Sequence, residues 1–474
     1  MQKAPGSWGF LLIRSGINDK MKRYILIGML TVFSFSKSNS FINGVDISML
    51  KEVEENGGLF YENGNQIDPI QTFKNKGINT ARIKIWHTPT LDYNNLQSVL
   101  EIADRAKSAG LDLLLDFHYS DTWADPSNQS KPSAWDDLTF EILCDSLEQY
   151  SRHVITKLKN QNTLPKYVQI GNETDCGLLW PDGYICGESN NDSQWNKLRE
   201  LFMHAIEGVK SALDTQDTLE IISHVSSGGN WFFNNLIGQG VNIDILSISY
   251  YPMWHGSLTD LIQNIDGLGN EFQKPVLITE TAYPFTLQWN DNTNNIVGLE
   301  NQLLENYEAS EEGQFSFLND LITLVDENDH GLGICYWAPD WISTNQFGSP
   351  WENQALFDFD GELLDAISVF DNSSVAITRI DNLKINNIYN YPNPFNPRTT
   401  LQYNLSEDAY VSVTIFDMLG NRVCNILNTN QSSGNKSVQW NATNDQGRSV
   451  SAGVYVYSIE TRGFRQSKKM IFIK

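Results

Sequence analysis

The sequence predicts a (β/α)8 barrel followed by a small antiparallel β-sandwich. Eight strand-like runs alternate with mostly helical segments between Phe41 and Phe370, and eight such units close a barrel of parallel strands. Beyond Phe370 the segments become short and alternate polar with apolar residues, which is typical of a sandwich. A doubly wound open sheet is the alternative, but no glycine-rich phosphate loop follows the first strand to support it.

The predicted barrel strands are short runs rich in β-branched and aromatic residues, as expected for strands buried on both faces. They are Phe41–Ile47, Thr80–Trp86, Leu111–Phe117, Tyr167–Ile170, Leu219–Val225, Ile243–Ser249, Val276–Glu280 and Gly333–Trp337. The segments between them show helical spacing of apolar residues. The predicted helices are Pro69–Lys76, Leu96–Ala109, Thr139–Lys159, Trp195–Leu213, Trp231–Leu236, Leu258–Leu268 and Gln314–Asn328.

A glutamate stands at the end of two predicted strands. Glu173 lies just after the fourth strand, and Glu280 is the last residue of the seventh. The carboxyl ends of parallel barrel strands meet at one mouth, so both side chains are expected there. A lone glutamate at a loop start is more often a solvated residue, but a facing pair of carboxylates is the machinery of glycoside hydrolysis. One of the pair must stay protonated, and burial beside an anionic neighbour predicts a raised pKa for Glu173.

Other strand ends carry side chains suited to this chemistry. Asn172 can hydrogen-bond a sugar hydroxyl, and Arg82 supplies a positive charge that holds Glu280 ionised. His118 follows the third strand; a lone histidine is more often structural, but its polar and aromatic neighbours favour the site. Any single aromatic residue at this mouth could instead belong to the hydrophobic core. The presence of several in the same loops predicts a cleft whose aromatic side chains bind sugar. The substrate-binding candidates among them are Trp86, Tyr250, Trp337 and Trp351.

The charge of the chain excludes several classes of partner. Asp and Glu outnumber Lys and Arg by 57 to 33, which gives a formal net charge of −24. Such a surface repels nucleic acid and anionic membranes, and it suits a protein that acts on a neutral polymer. The 13 tryptophans and 18 tyrosines fit sugar-stacking platforms as well as a core.

Residues 1–40 are predicted to be an upstream extension plus a signal peptide. Met21-Lys22-Arg23 precedes the apolar run 24–35, and small residues suited to cleavage follow at 36–40. We therefore expect translation to start at Met21 and the mature chain to start near Asn39–Phe41. The apolar run is too short to span a bilayer, so the protein is expected to be secreted or held at the cell surface, with no membrane span.

Five cysteines in an exported chain leave at least one unpaired. Cys176 and Cys186 lie ten positions apart in the loop after the fourth strand, and a disulfide bracing that loop is predicted. Cys144 and Cys335 lie in apolar contexts typical of a core, and Cys424 belongs to the C-terminal module. No cysteine and histidine spacing indicates a metal site.

Five runs in the barrel segment are long and distinctive. They are 116–126 (DFHYSDTWADP), 169–173 (QIGNE), 249–256 (SYYPMWHG), 279–284 (TETAYP) and 351–358 (WENQALFD). They resemble the arabinogalactan endo-β-1,4-galactanases, glycoside hydrolase family 53, over about Gly44 to Phe370. The resemblance implies a retaining barrel enzyme that needs no cofactor, with Glu173 as acid/base and Glu280 as nucleophile. Retention implies carboxyl groups about 5–5.5 Å apart.

Some members of that family bind calcium in the loop after the seventh strand, which here reads QWNDNTNN at 288–295. Asp291 and Asn295 are the candidate ligands. Trp289 and Thr293 stand where better ligands would be expected, and calcium takes six or more oxygens. The sequence therefore favours a polar surface loop over a structural calcium site.

The chain changes character after the barrel segment, and residues 371–387 are a predicted polar linker to a module at 388–474. The proline-rich run Tyr391–Pro397 cannot continue a helix or a central strand, so it marks a boundary. The strand-like segments beyond it are Thr399–Asn404, Tyr410–Asp417, Ser437–Asn441, Gly453–Thr461 and Lys469–Ile473.

The runs 391–397, 415–420, 451–455 and 468–474 of this module carry a second resemblance. They are similar to the sorting domain on cargo of the Bacteroidetes-type (type IX) secretion system, which implies that the secretion machinery is a partner. A plain spacer and a carbohydrate-binding module are the alternatives. The lack of an obvious row of exposed aromatic residues argues against the latter.

Together these features predict a secreted, monomeric, retaining endo-β-1,4-galactanase that cuts the galactan side chains of pectin. Another retaining barrel endoglycanase, a mannanase or a xylanase, is the alternative among enzymes, because the distinction depends on motifs outside the two glutamates. A galactan-binding barrel without activity is the alternative outside enzymes. The presence of Glu173, Glu280, Asn172 and Arg82 argues against it.

Overall fold

The computed structural model describes residues 40–371, 385–405, 408–418, 421–461 and 464–473. The predicted translation start and signal peptide fall on residues 1–39, and most of the predicted linker falls on residues 372–384. Both therefore lie outside the described residues and stay predictions.

Eight parallel strands form a closed barrel, which confirms the predicted fold class. Neighbours in the chain are neighbours in the sheet, and β1 pairs with β8 to close the ring. The strands are β1 Ile42–Asp46, β2 Thr80–Ile85, β3 Asp112–Phe117, β4 Tyr167–Ile170, β5 Glu220–Val225, β6 Ile245–Tyr250, β7 Val276–Thr281 and β8 Gly331–Tyr336. The predicted bounds differ from these by at most two residues at either end, since the ends of elements carry the weakest signals.

Helices connect the strands. They are α1 Leu50–Glu55, α2 Pro69–Asn75, α3 Leu96–Ser108, α4 Phe140–Asn160, α5 Asp192–Ser211, α6 Asn230–Gly238, α7 Pro252–His255, α8 Leu258–Phe272 and α9 Glu311–Glu327. The sequence did not predict α1, which buries only Leu50 and Val53. It also ended α8 too early, at Leu268 instead of Phe272; Gly269, the next residue, lies inside the helix, where a side chain would collide with His330. Across the described residues, no helix is both long enough and apolar enough to cross a membrane.

The barrel interior changes from apolar to polar along its axis. An apolar layer contains Ile42, Leu114, Tyr167, Ile222, Ile245, Leu277, Leu332 and Cys335. Side chains two positions further along a strand point to the same face, and on three neighbouring strands that position is polar. These polar residues are Asp116, Gln169 and His224, all fully buried. The sequence thus places a polar layer directly above an apolar floor, at the carboxyl ends of the strands.

The C-terminal segment forms two antiparallel sheets, in the orders β9-β10-β13 and β12-β11-β14-β15. The strands are β9 Ile385–Tyr391, β10 Thr399–Leu405, β11 Ala409–Asp417, β12 Arg422–Gln431, β13 Gly434–Trp440, β14 Gly453–Thr461 and β15 Phe464–Phe472. The sequence missed β9, and it also missed β12, where Cys424 is the one buried side chain.

The proline-rich run lies inside the sandwich, within the predicted module 388–474. The strand β9 precedes this run, so the predicted linker end at residue 387 is too late. Phe395, within the run, is 1% exposed and stacks on Phe472 with ring centroids 5.3 Å apart. Its backbone N–H donates to the carbonyl of Ile471. The run therefore contributes Phe395 to the core of the sandwich.

Candidate active site

Glu173 lies in the turn that ends β4, at the mouth of the barrel. The chain turns sharply there, with φ of +79° at Gly171 and +45° at Glu173. Residues with side chains rarely adopt positive φ, so this is a strained backbone position. Hydrogen bonds to β5 hold the turn, from Glu173 N–H to Nδ1 of His224 at 3.3 Å and from Thr174 N–H to the His224 carbonyl at 2.9 Å.

Glu280 lies on β7 and is 6% exposed. The register between β6 and β7 shifts at Ile248 and Ser249, and Ser249 pairs with Glu280. Irregularities of this kind re-aim side chains at active sites. The Oε1 atom of Glu280 lies 3.0 Å from Nη2 of Arg82, and its Oε2 atom accepts a hydrogen bond from the Tyr251 hydroxyl at 3.0 Å.

Arg82, on β2, connects the polar groups of the mouth. Its Nη1 lies 2.8 Å from Oδ2 of Asp46, and its Nη2 lies 2.8 Å from both Oδ2 of Asp116 and Oδ1 of Asn172. Burial opposes the charged guanidinium, but the attraction of Asp116, Glu280 and Asp46 outweighs it and raises the pKa of Arg82. The sequence paired Arg82 with Glu280; the structure divides its charge among three carboxylates.

Both glutamates have raised pKa values. Burial, followed by the charge of Glu280, raises the pKa of Glu173 well above its ordinary value, against the hydrogen bond from Ser249. Burial raises the pKa of Glu280 to about 7, although Arg82 opposes the shift. A guanidinium and a phenol both stabilise ionised Glu280, whereas Glu173 accepts one neutral hydroxyl, so a proton shared by the pair belongs on Glu173. This is the direction expected from the sequence.

The mouth therefore offers a proton donor beside an ionised carboxylate. The donor can protonate a leaving oxygen while the carboxylate forms a bond to an electrophilic carbon. A cavity of about 300 Å³ lies next to Ser249 and is lined by residues that include Tyr250, Trp254 and Asp260. Glu173 accepts its hydrogen bond from Ser249, so a lining residue of this cavity contacts the proton donor, although neither glutamate is among the residues that line it.

The structure turns Tyr250, a predicted substrate-binding residue, away from the barrel mouth and brings its neighbour Tyr251 to Glu280 instead. The hydroxyl of Tyr250 donates to the carbonyl of Gly256 at 3.0 Å, and its ring stacks on Phe317 of α9 at 6.3 Å. Tyr250 thus faces the helix layer, because it is still part of β6 and alternation turns it outward. Tyr251 follows the strand and reaches Glu280.

Tyr251→Phe is expected to lower kcat/KM by about 10- to 100-fold, the cost of losing a hydrogen bond to a charged group. The phenol lowers the pKa of Glu280, so its removal raises that pKa and moves the acid limb of the pH–rate profile to higher pH. Profiles of the full chain measure both effects. Tyr250→Phe is the matched control, and an acid limb that moves equally in both variants would contradict the assignment.

His118 and Trp86 lie at the mouth, but their polar atoms are already engaged. Nδ1 of His118 accepts from Nε1 of Trp86 at 3.2 Å and from the N–H of Ala124 at 3.1 Å. Its Nε2 lies 3.1 Å from Oδ2 of Asp116, and the residue is 2% exposed. The structure thus gives His118 the role of orienting Asp116 and Trp86, in place of the predicted contact with substrate.

Tryptophans line the mouth around Trp123. Its ring lies edge-on to Trp86 at 5.4 Å and to Trp337 at 5.9 Å. Trp351 continues the wall, 6.4 Å from Trp337. The buried Lys84 ammonium lies 4.2 Å from the centroid of the Trp123 ring, and burial lowers its pKa to about 8. The predicted aromatic residues Trp86, Trp337 and Trp351 are therefore brought together, although sugar binding by them stays a prediction.

The loop after Glu173 is held by two links. Cys176 and Cys186 form the disulfide that their spacing predicted, with Cα atoms 5.1 Å apart. The carboxylate of Asp175 accepts from the N–H and the hydroxyl of Ser226 at 2.7 and 2.8 Å. The cysteines that remain free are buried: Cys144, Cys335 and Cys424. The loop is thus tied both to itself and to the end of β5.

The loop with the candidate calcium ligands is held by its own hydrogen bonds. Both carboxylate oxygens of Asp291 accept backbone N–H groups, from Thr293 and from Ser349 at 2.8 Å. The side-chain amide of Asn295 donates to the carbonyl of Gln288 at 3.2 Å. Where the chain is described, no three His, Cys, Asp or Glu side chains group as metal ligands. The residues present do not fit the six or more oxygens of a calcium site.

Several functional side chains had no assigned role in the sequence. They are Asp46, Asp116, Gln169, His224 and Ser249, each at most 2% exposed. Strand periodicity could have identified three of them. Asp116, Gln169 and His224 each lie two positions after an inward-facing apolar residue, so their side chains also point into the barrel. Gln169 shows the consequence, since its amide donates to Oδ1 of Asp116 at 2.7 Å and accepts from Nε of Arg82 at 3.3 Å.

Comparisons with known proteins give a family match for the barrel and another for the sandwich. The model of glycosyl hydrolase family 53 matches residues 42–370, and the model of the FlgD Ig-like domain matches residues 396–463. The arabinogalactan endo-β-1,4-galactanase of Cellvibrio japonicus is 35% identical over 346 residues, which cover 70% of this chain and 91% of that protein. The endo-β-1,4-galactanase of Bacillus subtilis is 31% identical over 383 residues, covering 70% and 86%.

A solved structure agrees with the sequence comparisons. The GH53 catalytic domain from Ignisphaera aggregans is 37% identical, with a TM-score of 0.65, and the match covers 70% of this chain and 95% of that one. The Ig-like match supports the sandwich fold of the C-terminal segment. The sorting role expected for that segment stays a prediction.

Proposed function

The chain belongs to glycosyl hydrolase family 53 and is a glycoside hydrolase, and from this premise we propose that it is a retaining endo-β-1,4-galactanase. Glu280 is the nucleophile and Glu173 the acid/base. The observation that carries the proposal is the different surroundings of the two carboxylates. Glu280 accepts from Arg82 and Tyr251, whereas Glu173 lies partly buried beside that charge and accepts from the neutral Ser249 hydroxyl.

The reaction proceeds by two displacements. In the first, Glu280 forms a bond to the anomeric carbon while the glycosidic C–O bond breaks, and Glu173 gives its proton to the leaving oxygen. In the second, ionised Glu173 takes a proton from water, whose oxygen forms a bond to the anomeric carbon as the bond to Glu280 breaks. Arg82 and Tyr251 stabilise the departing carboxylate, which leaves the site in its starting state.

The substrate proposed is the β-1,4-galactan of pectin side chains. Support comes from the relatives named as endo-β-1,4-galactanases and from the aromatic wall along the mouth, since sugar faces stack on such rings. A mannanase or xylanase remains the second candidate, because the paired carboxylates are common to retaining glycanases.

Reducing-sugar release by the full chain tests this proposal. We expect activity on linear β-1,4-galactan, with at most a small fraction of that rate on β-1,4-mannan or xylan at equal mass concentration. Retention is measured separately, by proton NMR of the first-formed anomer on a short galacto-oligosaccharide. Faster release from mannan or xylan would overturn the substrate, and a first-formed α-anomer would overturn the two-step mechanism.

We also propose that the protein is exported and that its sandwich is the sorting domain. The disulfide in the loop after Glu173 fits an oxidising compartment, and the sandwich carries the sequence features that resemble type IX cargo. In the producing cell, deletion of the sandwich should retain the enzyme inside the envelope. Normal release of the truncated chain would contradict this role.

A further inference from the structure

Three hydrogen bonds lead from the backbone of Glu173 back to its own side chain. The N–H of Glu173 lies 3.3 Å from Nδ1 of His224, and Nε2 of His224 lies 3.0 Å from Oγ of Ser249. Oγ of Ser249 in turn lies 2.6 Å from Oε1 of Glu173. His224 is fully buried and Ser249 is 2% exposed, so the middle of this chain of hydrogen bonds is shielded from solvent.

The direction of these hydrogen bonds follows from the backbone N–H, which can only donate. It makes Nδ1 of His224 an acceptor, so the neutral ring carries its proton on Nε2 and donates to Oγ of Ser249. The hydroxyl proton of Ser249 is then directed to Oε1 of Glu173. In the other tautomer the Glu173 N–H would lose its acceptor, which is costly for a backbone N–H that is withdrawn from solvent in part.

Asn172 does not reverse this direction. Its Oδ1 lies 3.0 Å from Nδ1 of His224, but it already accepts from Nη2 of Arg82 at 2.8 Å. Its amide nitrogen donates to the carbonyl of Ala124 at 2.9 Å. Since a guanidinium only donates and a carbonyl only accepts, the orientation of the Asn172 amide is determined, and its oxygen needs no proton from His224.

The ring of His224 stays neutral because of the groups that face it. Burial lowers its pKa well below the ordinary value, and the charge of Arg82 acts in the same direction. His118 and His255 add to this effect, while Asp116 opposes it. The ring therefore keeps one proton, and with it one direction of donation, throughout the pH range in which Glu173 titrates.

We propose that His224 and Ser249 are positioning residues that keep the catalytic proton of Glu173 on Oε2. The inference rests on the proposed function. A hydroxyl that always donates to Oε1 excludes a proton from that oxygen in both half-reactions. The Oε2–H bond breaks as the leaving oxygen takes the proton, and it forms again as water gives one up. The protons of Ser249 and His224 remain where they are.

Ser249→Ala is the first test. Without the hydroxyl, the proton can occupy either oxygen of Glu173, and kcat on galactan is expected to fall by about 10- to 100-fold, part of the usual contribution of a general acid. The Ser249 hydrogen bond lowers the pKa of Glu173, so its loss moves the alkaline limb of the pH–rate profile to higher pH. A 2,4-dinitrophenyl galactobioside needs no acid, and its first step should stay near the wild-type rate.

Two further variants separate proton placement from structure. Ser249→Thr keeps a hydroxyl and should restore most of the galactan rate. Ser247→Ala is the matched control, because it removes a buried hydroxyl of the same strand that donates to the carbonyl of Ser223. His224→Gln can still accept and donate, so it should lose less than His224→Phe; thermal melts show which variants are folded.

Equal slowing of galactan and the dinitrophenyl substrate in Ser249→Ala, or an alkaline limb that stays in place, would overturn the proposal. A galactan rate in Ser249→Ala equal to that of Ser247→Ala would do the same. These failures differ from failure of the proposed function, because an inactive wild-type chain refutes the galactanase itself. An active wild type with an unaffected Ser249→Ala refutes only the placement of the proton.

Discussion

Glu280→Gln is expected to lower kcat on galactan by about 10⁵-fold or more, because an amide cannot form the bond to the anomeric carbon. Glu173→Gln is expected to lower it by about 10²- to 10⁴-fold, since it removes proton transfer alone. Both changes keep the volume of the side chain. Reducing-sugar release by the full chain measures the two losses against the wild type.

The leaving group distinguishes the two roles. On a 2,4-dinitrophenyl galactobioside the leaving oxygen needs no proton, so Glu173→Gln should form the glycosyl-enzyme at nearly the wild-type rate. Its second step remains slow, because no base activates water, and a burst of dinitrophenolate is expected. Glu280→Gln should show neither burst nor turnover.

Glu271→Gln is the control for the change from carboxylate to amide. Glu271 lies at the end of α8, where it accepts from Asn230 and Asn234, and its replacement should leave activity unchanged. Galactan activity in Glu173→Gln or Glu280→Gln that equals this control would refute the assignment. A burst in Glu280→Gln with none in Glu173→Gln would show that the roles are exchanged.

The barrel and its two glutamates could be predicted because their signals are local. Each strand is a run of apolar residues in the chain, and parallel topology then brings every strand end to one mouth. The position of Glu173 and Glu280 at such strand ends is enough to predict that both lie at the mouth. The same local reasoning predicted that Arg82 lies beside Glu280 and that Cys176 and Cys186, ten positions apart, form a disulfide.

The rest of the site depends on contacts between distant segments and on local irregularities. Tyr250 and Tyr251 are alike in sequence, and only the end of β6 decides which one faces Glu280. The shift in register between β6 and β7 leaves no mark in a single sequence. Asp46 and Asp116 also contact the Arg82 guanidinium. These contacts depend on the register of three neighbouring strands, which hydrophobic periodicity does not determine.

Burial is the main reason why Glu280 has a raised pKa, and the distribution of charge around Arg82 explains why the guanidinium does not cancel it. Three carboxylates face one guanidinium, and a carboxylate that shares its counter-charge is less stabilised as an anion than one with a partner of its own. Burial then dominates and raises the pKa of Glu280 to about 7. Asp116 differs, because His118 adds a second partner; burial opposes the shift, yet Arg82 and His118 lower its pKa.

Arg82→Met is therefore expected to lower the free energy of unfolding of the barrel by about 3–5 kcal/mol, the cost of removing one partner of a buried ion pair. Asp46, Asp116 and Glu280 would remain buried without their cation. The pKa values of Asp116 and Glu280 in the folded state would rise, since Arg82 lowers both, so the loss is largest at neutral pH and shrinks as pH falls and these two carboxylates take up protons. Activity should be lost as well, because Glu280 would be protonated.

Urea denaturation at pH 7 and pH 5, monitored by tryptophan fluorescence, measures this loss. Trp440 is the one tryptophan of the sandwich, so the fluorescence signal reports mainly on unfolding of the barrel. Arg105→Met is the matched control. Arg105 forms two hydrogen bonds to Glu54 at 2.7 and 2.9 Å, but both side chains are about one-third exposed. That surface pair is worth at most about 1 kcal/mol. If Arg82→Met lost no more stability than Arg105→Met, or lost the same at both pH values, the buried carboxylates would not depend on this guanidinium.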